Sequence, residues 1–500
     1  MQSFSGKKTI SAFKIDFSSR IAGFFSGVVF AFCPYRLAHL GAGHLPLMGT
    51  QWLPLFFLYL DRIIVRPQIR DGILAGLFYS LGALSAWYYA YMFALAGIAY
   101  TLLRGRPWRK HLWQKPFARC VLVFAMVCLV LIAPIALPVT RLWREGDRPQ
   151  SLRYVDQFSA SPLDLLYPNV MQPLWGTSLL ERYPQNVENI LYLGAVPLLL
   201  AIIGLWRRRD RTGQTLAWLG LIFAILAFGT TLHGPRGPVY IRVPDALERL
   251  FTIGMSLLSK RLALNPISSY SLRVAGAVYL PLPTLLLYLY LPFFNAMRVW
   301  ARFGLVPLFA VAVLSGYGVQ HLHTRACWPR MGTALLLALV LLEFAAFPYA
   351  LGTSRVQARP VDNWLAAQQG EFAIMEFPVL KAMTGRSLYA TRTHGKAITF
   401  GYGTFFPRAF NEQRGVLESF PSPESIALLK RWAVRYVLVG SRTCGAEWPQ
   451  RQRDLSTAVG LRYVLTLDDE PTYEGDRLLH FLPGTERAFI VDQIHVYEVL

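Results

Sequence analysis

VAGAVYLPLPTLLLYLYLPFFNAMRVWARF occupies residues 274–303. Its apolar length matches a membrane helix, but Pro281, Pro283 and Pro292 interrupt it and Arg298 and Arg302 close it. A proline inside a helix removes a backbone donor and clashes with the preceding turn. Broken backbone at membrane depth is tolerated only where protein or a wet cavity covers it. The stretch therefore reads as a re-entrant or interfacial segment on the floor of an outward-facing cavity, and the surrounding chain has to agree with that reading.

Of 500 residues, 54% are hydrophobic and 16% charged. That is the composition of an integral membrane protein. The charge is uneven. Residues 354–500 carry 17 Lys and Arg against 16 Asp and Glu, whereas the residues before them carry 33 against 13. The excess base thus belongs to the apolar part and sits at the ends of apolar runs, as the positive-inside rule requires. The same placement argues against a nucleic-acid surface. Cys33, Cys120, Cys128, Cys327 and Cys444 show no paired spacing, so neither a disulfide framework nor a zinc site is expected. Lys7, Lys8, Lys14 and Arg20 precede an apolar run, but no cleavable signal pattern follows.

Outward from the opening stretch, the spans follow from length and flanking charge. Ile21–Cys33 is a short first span, Tyr35–Met48 an outer loop with Arg36, His39 and His44, and Gly49–Leu60 a second span ending at Arg62, Arg66 and Arg70. The apolar run Gly72–Leu103 would be roughly 48 Å long as one helix, well past a core of about 30 Å. Both its flanks are basic, so it crosses twice and turns at Ser85–Ala90. Phe117–Leu137 crosses outward, and Arg141–Asn189 is an outer loop. Ile190–Leu205 returns to the basic anchor Trp206–Arg211, and Thr215–Thr231 crosses outward again. If 274–303 dips without crossing, Phe303–Val319 runs inward to Arg325 and Arg330, and Met331–Tyr349 runs outward. Every strongly basic short loop then falls on one side. The expected fold is a polytopic α-helical membrane protein of about nine spans plus one re-entrant or interfacial segment, with its N-terminus cytoplasmic.

Beyond Ser354 the pattern changes. Strand-like runs appear at Glu371–Phe377, Tyr436–Val439, Tyr463–Leu467 and Ala488–Val491, with a helix over Ser422–Ala433 capped by Ser422. This predicts a membrane domain over residues 1–353 and an extracytoplasmic soluble α/β domain over 354–500.

Several phrases carry a family resemblance: GVVFAFCPYRLAHLGAGHLPLMGTQWLPLFFLYLDR, the ENILYLG turn at Glu188–Gly194, NAMRVWARFGLVPLFAVAVLSGYG, Glu376–Pro378, His394–Lys396, Gly401–Gly403 and FPSPESIALLKRWAVRYVLV. Together they resemble the YfhO-like and GT-C superfamily bacterial multi-pass membrane glycosyltransferases over nearly the whole chain. The resemblance implies transfer of a sugar from a polyprenyl-phosphate carrier at the outer face of the cell (plasma or inner) membrane. It also implies a first outer loop with an acidic residue that acts as base or binds a divalent metal. This chain departs there: its first outer loop, Tyr35–Met48, has no acid. The expectation is that the N-terminal spans and acidic loop of the relatives are missing. Truncation, a mis-assigned start and a non-catalytic protein all remain open. The alternative function is a non-catalytic lipid-binding or transport protein on the same scaffold.

Glycosyl transfer needs a base for the acceptor and positive charge for the departing phosphate. Arg298 and Arg302 lie four apart after a run able to hold a prenyl chain, and a guanidinium pairs with two phosphate oxygens. They are read as a lipid-phosphate clamp, against the plainer alternative of headgroup anchors. Arg36 and His39 line the first outer loop, and Trp87 and Tyr88 offer rings for a sugar or prenyl group. The His39/His44 spacing without an acid makes a weak metal site, so no metal ligands are assigned. Interface anchoring explains these residues equally well. The outer acids are Glu145, Asp147, Asp156, Asp164, Glu181 and Glu188. Asp156 and Glu188 are the catalytic candidates, against a general expectation of solvated loop carboxylates. Glu343 reads as a mid-span structural contact. His394 and Lys396 are candidates for a loop reaching over the membrane cavity, with a surface turn as the alternative. The expected partners are membrane lipid and a polyprenyl-phosphate-linked sugar, not nucleic acid.

Overall fold

The computed structural model describes residues 17–146, 152–183, 185–234, 237–260, 276–325, 329–346, 358–379, 384–401, 408–468 and 492–500. Asp147, Gly403 and the expected strand Ala488–Val491 lie outside them. The chain divides into two compact units, one of Met1–Pro134 with Pro149–Pro348 and one of Ile135–Arg148 with Tyr349–Leu500.

The first unit is helical. Three of its apolar helical segments, Ser18–Gly41, Lys115–Arg141 and Ala301–His323, are long enough to cross a membrane; Arg211–Ala227 is apolar and shorter. They differ in surroundings. The Ala301–His323 segment is 83% buried, the Lys115–Arg141 segment only 6%. The buried helix, Leu305–His323, packs against Phe17–Ala31, Ala195–Arg208 and Arg211–Ala227. Close approach explains its glycines. A Cβ on Gly318 would lie 2.1 Å from the Leu200 carbonyl oxygen, and one on Gly204 would lie 2.4 Å from that of Leu314. Small residues at such crossings let helix backbones touch.

The long apolar run is two helices, Ile69–Ser85 and Trp87–Arg104, separated by extended backbone at Ala86. Other boundaries depart from the sequence reading. The helix Lys115–Gly146 continues through Pro134 and Pro138. The first outer loop is helical over Pro34–Gly41, because Pro34 restarts a helix directly after Cys33. A 3-10 segment, Leu45–Gln51, then leads into the helix Trp52–Val65. Glu343 does make a structural contact: it accepts from the Tyr192 hydroxyl (2.5 Å) and from the amides of Ala195 (2.5 Å) and Val196 (3.2 Å). It thereby covers orphan donors at the start of the helix Ala195–Arg208.

The described part of 274–303 is not one helix. Ala277–Tyr279 pairs antiparallel with Tyr240–Arg242. Thr284–Tyr290 is a helix of 7 residues, about 10 Å long and far short of a bilayer core. A 3-10 turn at Phe294–Ala296 and another at Ala301–Gly304 then lead into the buried helix. The prolines punctuate these pieces as expected.

In the second unit, a five-stranded sheet runs in the spatial order Ala397–Ile398, Ala373–Phe377, Val434–Gly440, Gln493–Val499, Leu461–Asp468. The first three are parallel and the last two antiparallel to their neighbours. The helix Pro423–Arg431 is capped by the Ser422 hydroxyl, which accepts from the Ser425 amide. Arg359 is buried between Asp362 and Glu376, donating to both carboxylates at 2.7 Å.

Candidate functional site

The segment 161–189 is built around a buried carboxylate. Asp164, fully shielded from solvent, accepts from the Ser161 amide, the Tyr183 hydroxyl and Gln185 Nε2, each at 2.7 Å, and from Asn189 Nδ2 at 3.3 Å. Asn186 caps the next turn by accepting from the amides of Glu188 and Asn189. These bonds fix where Glu188 points.

Glu188 meets Arg302 in a two-pronged pair. Nε donates to Oε2 at 2.9 Å and Nη2 to Oε1 at 2.5 Å, and both side chains are nearly buried. The Arg302 guanidinium also lies 4.2 Å from the centre of the Tyr88 ring, a cation–π contact. On the carboxylate's other side, His39 Nε2 stands 3.6 Å from Oε2, and His39 Nδ1 is 2.8 Å from His44 Nδ1. The charges of Arg298, Arg302 and Glu188 all reach His44, and those of Arg302 and Arg36 reach Tyr89. Burial pushes the Glu188 carboxyl up, but the bonds and charge of Arg302 outweigh it and hold the group below its usual range. Burial lowers His44. Arg298 stacks over the Phe158 ring at 4.9 Å. Arg36 keeps a buried Nε without a hydrogen-bond partner. Arg302 pairs with the Glu188 carboxylate, while the charges of Arg298 and Arg36 reach its neighbours His44 and Tyr89, so the site is electropositive and suited to an oxyanion.

Asp156 lies on the short helix Leu152–Gln157. Its Oδ1 accepts from the hydroxyls of Thr230 (2.8 Å) and Thr231 (3.2 Å), and His233 Nε2 is 3.8 Å away. Burial raises its carboxyl to about 7 despite both hydroxyls. Trp87 is half-buried at the start of its helix.

Asp156, Asp164 and Glu188 are therefore buried and bonded, unlike the solvated loop carboxylates expected from sequence. His39 is fully buried, not an interfacial anchor. In the second unit, Lys396 ties its turn to the loop that follows the helix Pro360–Ala367. Its ammonium donates to the carbonyls of Gln368 (2.6 Å) and Gly370 (3.1 Å), and its amide donates to His394 Nδ1 (2.9 Å).

Among the described residues, His39, His44 and Glu188 bring ligand-type atoms within 4.8 Å of one another. The 3.6 Å gap between His39 Nε2 and Glu188 Oε2 is near the roughly 3.4 Å between two ligands of a tetrahedral zinc. The donor set nevertheless fits a cation poorly. Arg302 already engages both carboxylate oxygens, His39 Nδ1 is engaged with His44, and the charges of Arg302 and Arg298 reach His44.

Residues 1–253 match the model of a family described as a domain of unknown function, DUF6311. The chain belongs to the DUF6311 family. No curated protein matches it. Among solved structures, this DUF6311 chain is similar to a mycobacterial arabinofuranosyltransferase, AftD, with a TM-score of 0.45 and 13% identity, over 96% of this chain and 31% of that one. The DUF6311 chain thus spans about a third of that protein's length.

Sequence reading missed two partnerships. Glu188 and Arg302 lie 114 positions apart, and no local pattern links them. Nothing near His233 in sequence is acidic. The only signal is the pair Thr230–Thr231, hydroxyls placed just before a histidine at the end of an apolar run.

Proposed function

We propose that this protein is a GT-C-like membrane glycosyltransferase that takes a sugar from a polyprenyl-phosphate carrier at the outer face of the cell membrane. The observation that supports this most directly is the electropositive floor at Glu188–Arg302. One carboxylate holds Arg302 in a fixed orientation while Arg36 and Arg298 add charge around it. A preorganised guanidinium stabilises the charge that develops on a departing phosphate without reorganising during the reaction. Tyr88 backs Arg302, and Trp87 stands at the start of the same helix for the sugar or prenyl group. Glu188 and His39 orient the clamp, and Asp156, with its raised proton affinity, is the base for the acceptor hydroxyl. In this reading residues 1–353 are the membrane domain, residues 354–500 lie outside the cytoplasm, and His394 and Lys396 stabilise a turn of that domain.

The test is transfer of labelled sugar from polyprenyl-phosphate-sugar to endogenous acceptors in membranes that contain the full chain. Arg302→Ala is expected to lower transfer by about 10²–10³-fold, the typical loss when one such stabilising donor is removed; Arg298→Ala acts in the same direction. Wild-type transfer in an Arg298→Ala/Arg302→Ala double variant that inserts normally refutes the clamp. Phosphate-dependent lipid binding without any transfer supports instead the lipid-binding or transport protein on the same scaffold.

A further inference from the structure

His233 and Asp156 face each other in a way that an isolated carboxylate would not require. The segment Thr230–Leu232 is held by the proline-broken stretch. The Leu282 amide donates to the Thr230 carbonyl (2.9 Å), and the Leu232 amide donates to that of Leu280 (3.0 Å). This pairing sets His233 beside Asp156, and both are about 6% exposed. His233 Nδ1 is 3.2 Å from the Phe228 carbonyl oxygen. A carbonyl only accepts, so Nδ1 carries the proton and the neutral ring presents a lone pair at Nε2. Nε2 lies 3.8 Å from Asp156 Oδ1, too far for a direct bond. His233 Nε2 and Asp156 Oδ2 have no hydrogen-bond partner.

Two buried acceptors thus confront each other, and each has an open atom. An ionised carboxylate opposite a neutral imidazole would leave a buried charge and an unfilled lone pair, which is costly. One proton, on either group, relieves the conflict. We infer that Asp156 and His233 form a one-proton pair whose open atoms receive a hydroxyl group. That the hydroxyl is a sugar acceptor rests on the transferase reading above; the shared proton does not.

In the reaction, the acceptor O–H breaks and its proton passes to the pair, at Nε2 or Oδ2. The oxygen's electron pair forms the bond to the anomeric carbon of the sugar. The bond from that carbon to the phosphate oxygen breaks with its electrons on the phosphate, where the arginines take up the charge. No further reactant is needed. The raised midpoint of Asp156, about 7, and the lowered one of His233 both have burial as their largest cause. The raised Asp156 carboxyl keeps the pair close to gaining or losing a proton near neutrality. The groups facing it are Thr230, Thr231, the Phe228 and Thr231 carbonyls, and the Tyr240 hydroxyl, which senses the Asp156 charge.

The experiment is an infrared titration of the protonated-carboxyl band in the detergent-solubilised full chain, from about pH 4 to about pH 9. Wild type, Asp156→Asn and His233→Gln are compared after each has eluted as a folded species. A band that titrates near neutrality, disappears in Asp156→Asn and shifts its midpoint in His233→Gln is expected. Absence of both an Asp156-dependent carboxyl band and a His233-dependent imidazolium band across the titration overturns the pair. So does a His233→Gln titration that superimposes on wild type. In the transfer assay, His233→Gln is expected to change the pH profile of the rate; an unchanged profile at full rate removes His233 from the chemistry. No transfer by wild type overturns the transferase reading, while the titration still decides the pair.

Discussion

Glu188 and Asp156 are both buried carboxylates on short helical turns of the same unit, and they are stabilised in opposite ways. Glu188 has a guanidinium locked across both oxygens and is held ionised. Asp156 has two hydroxyls and a neutral imidazole, and burial favours its protonated form. The contrast teaches that burial alone does not set the charge of an acid. The nearest cation does, and where none is near the proton itself becomes the partner. The stretch 274–303 serves both sites: its first half pairs with Thr230–Leu232, and its last residues supply Arg302.

The largest effect expected is at the ionised site. Arg302→Ala leaves Glu188 buried and unpaired, which costs about 3–5 kcal/mol of stability. Thermal or denaturant unfolding in detergent measures it. The double variant Arg302→Met/Glu188→Gln is expected to recover much of that loss, because it removes the stranded charge as well. Equal destabilisation of the single and double variants would mean that Glu188 is hydrated and the contrast with Asp156 is not one of pairing.

Next is the pH dependence, where the two sites have opposite signs. Asp156 binds its proton more tightly when folded. Its contribution is complete below the unfolded value near 3.8 and is lost as pH rises through about 7. Glu188 binds its proton less tightly when folded, so its contribution is present above the unfolded value and is lost as pH falls through the folded one. Asp156→Asn is therefore expected to flatten the decline in stability between about pH 4 and pH 7, and Glu188→Gln the decline on the acid side. Melting temperatures taken across that range distinguish them; identical pH curves for the two variants would break the comparison.

How far such pairs can be read from sequence depends on what positions them. The turn at Ala86, the punctuated stretch 274–303 and the strand Val434–Gly440 were legible because local periodicity, proline chemistry and β-branched runs specify them. Arg298, Arg302, Asp156 and Glu188 stood out by residue type in an apolar chain. Their partners did not. The Glu188–Arg302 pair needs the loop network of Asp164, which is assembled from Ser161, Tyr183, Gln185 and Asn189. The placement of His233 needs strand-like pairing with residues 280–282. From sequence His39 reads as lining the first outer loop or anchoring at the interface, because nothing in the spacing announces that Pro34 restarts a helix and buries it. Each depends on contacts distant in sequence that periodicity does not encode.

A middle-sized effect is expected at Asp164, which supports the ionised site without touching it. Asp164→Asn keeps the shape but turns an acceptor oxygen into a donor facing other donors, at a cost of about 1–3 kcal/mol. Its readout is stability together with the Arg302-dependent transfer rate, and both are expected to fall. The infrared band of Asp156 is expected to hold its midpoint; if it moves as well, the two carboxylates share a scaffold and are not independent.

The smallest effect separates charge from ring at the clamp. Tyr88 contributes its face to Arg302 at 4.2 Å, an interaction of about 0.5–2 kcal/mol depending on desolvation. Tyr88→Phe retains the face and removes the hydroxyl, so stability and transfer are expected to stay near wild type. Tyr88→Leu removes the face while filling much of the space, and is expected to lose stability within that range and to weaken transfer modestly. The order Phe above Leu is the informative result, because burial of an apolar side chain is similar in both. If Phe and Leu behave alike, Arg302 is held by Glu188 alone, and the ionised site then depends on its carboxylate as completely as the Asp156 site depends on its proton.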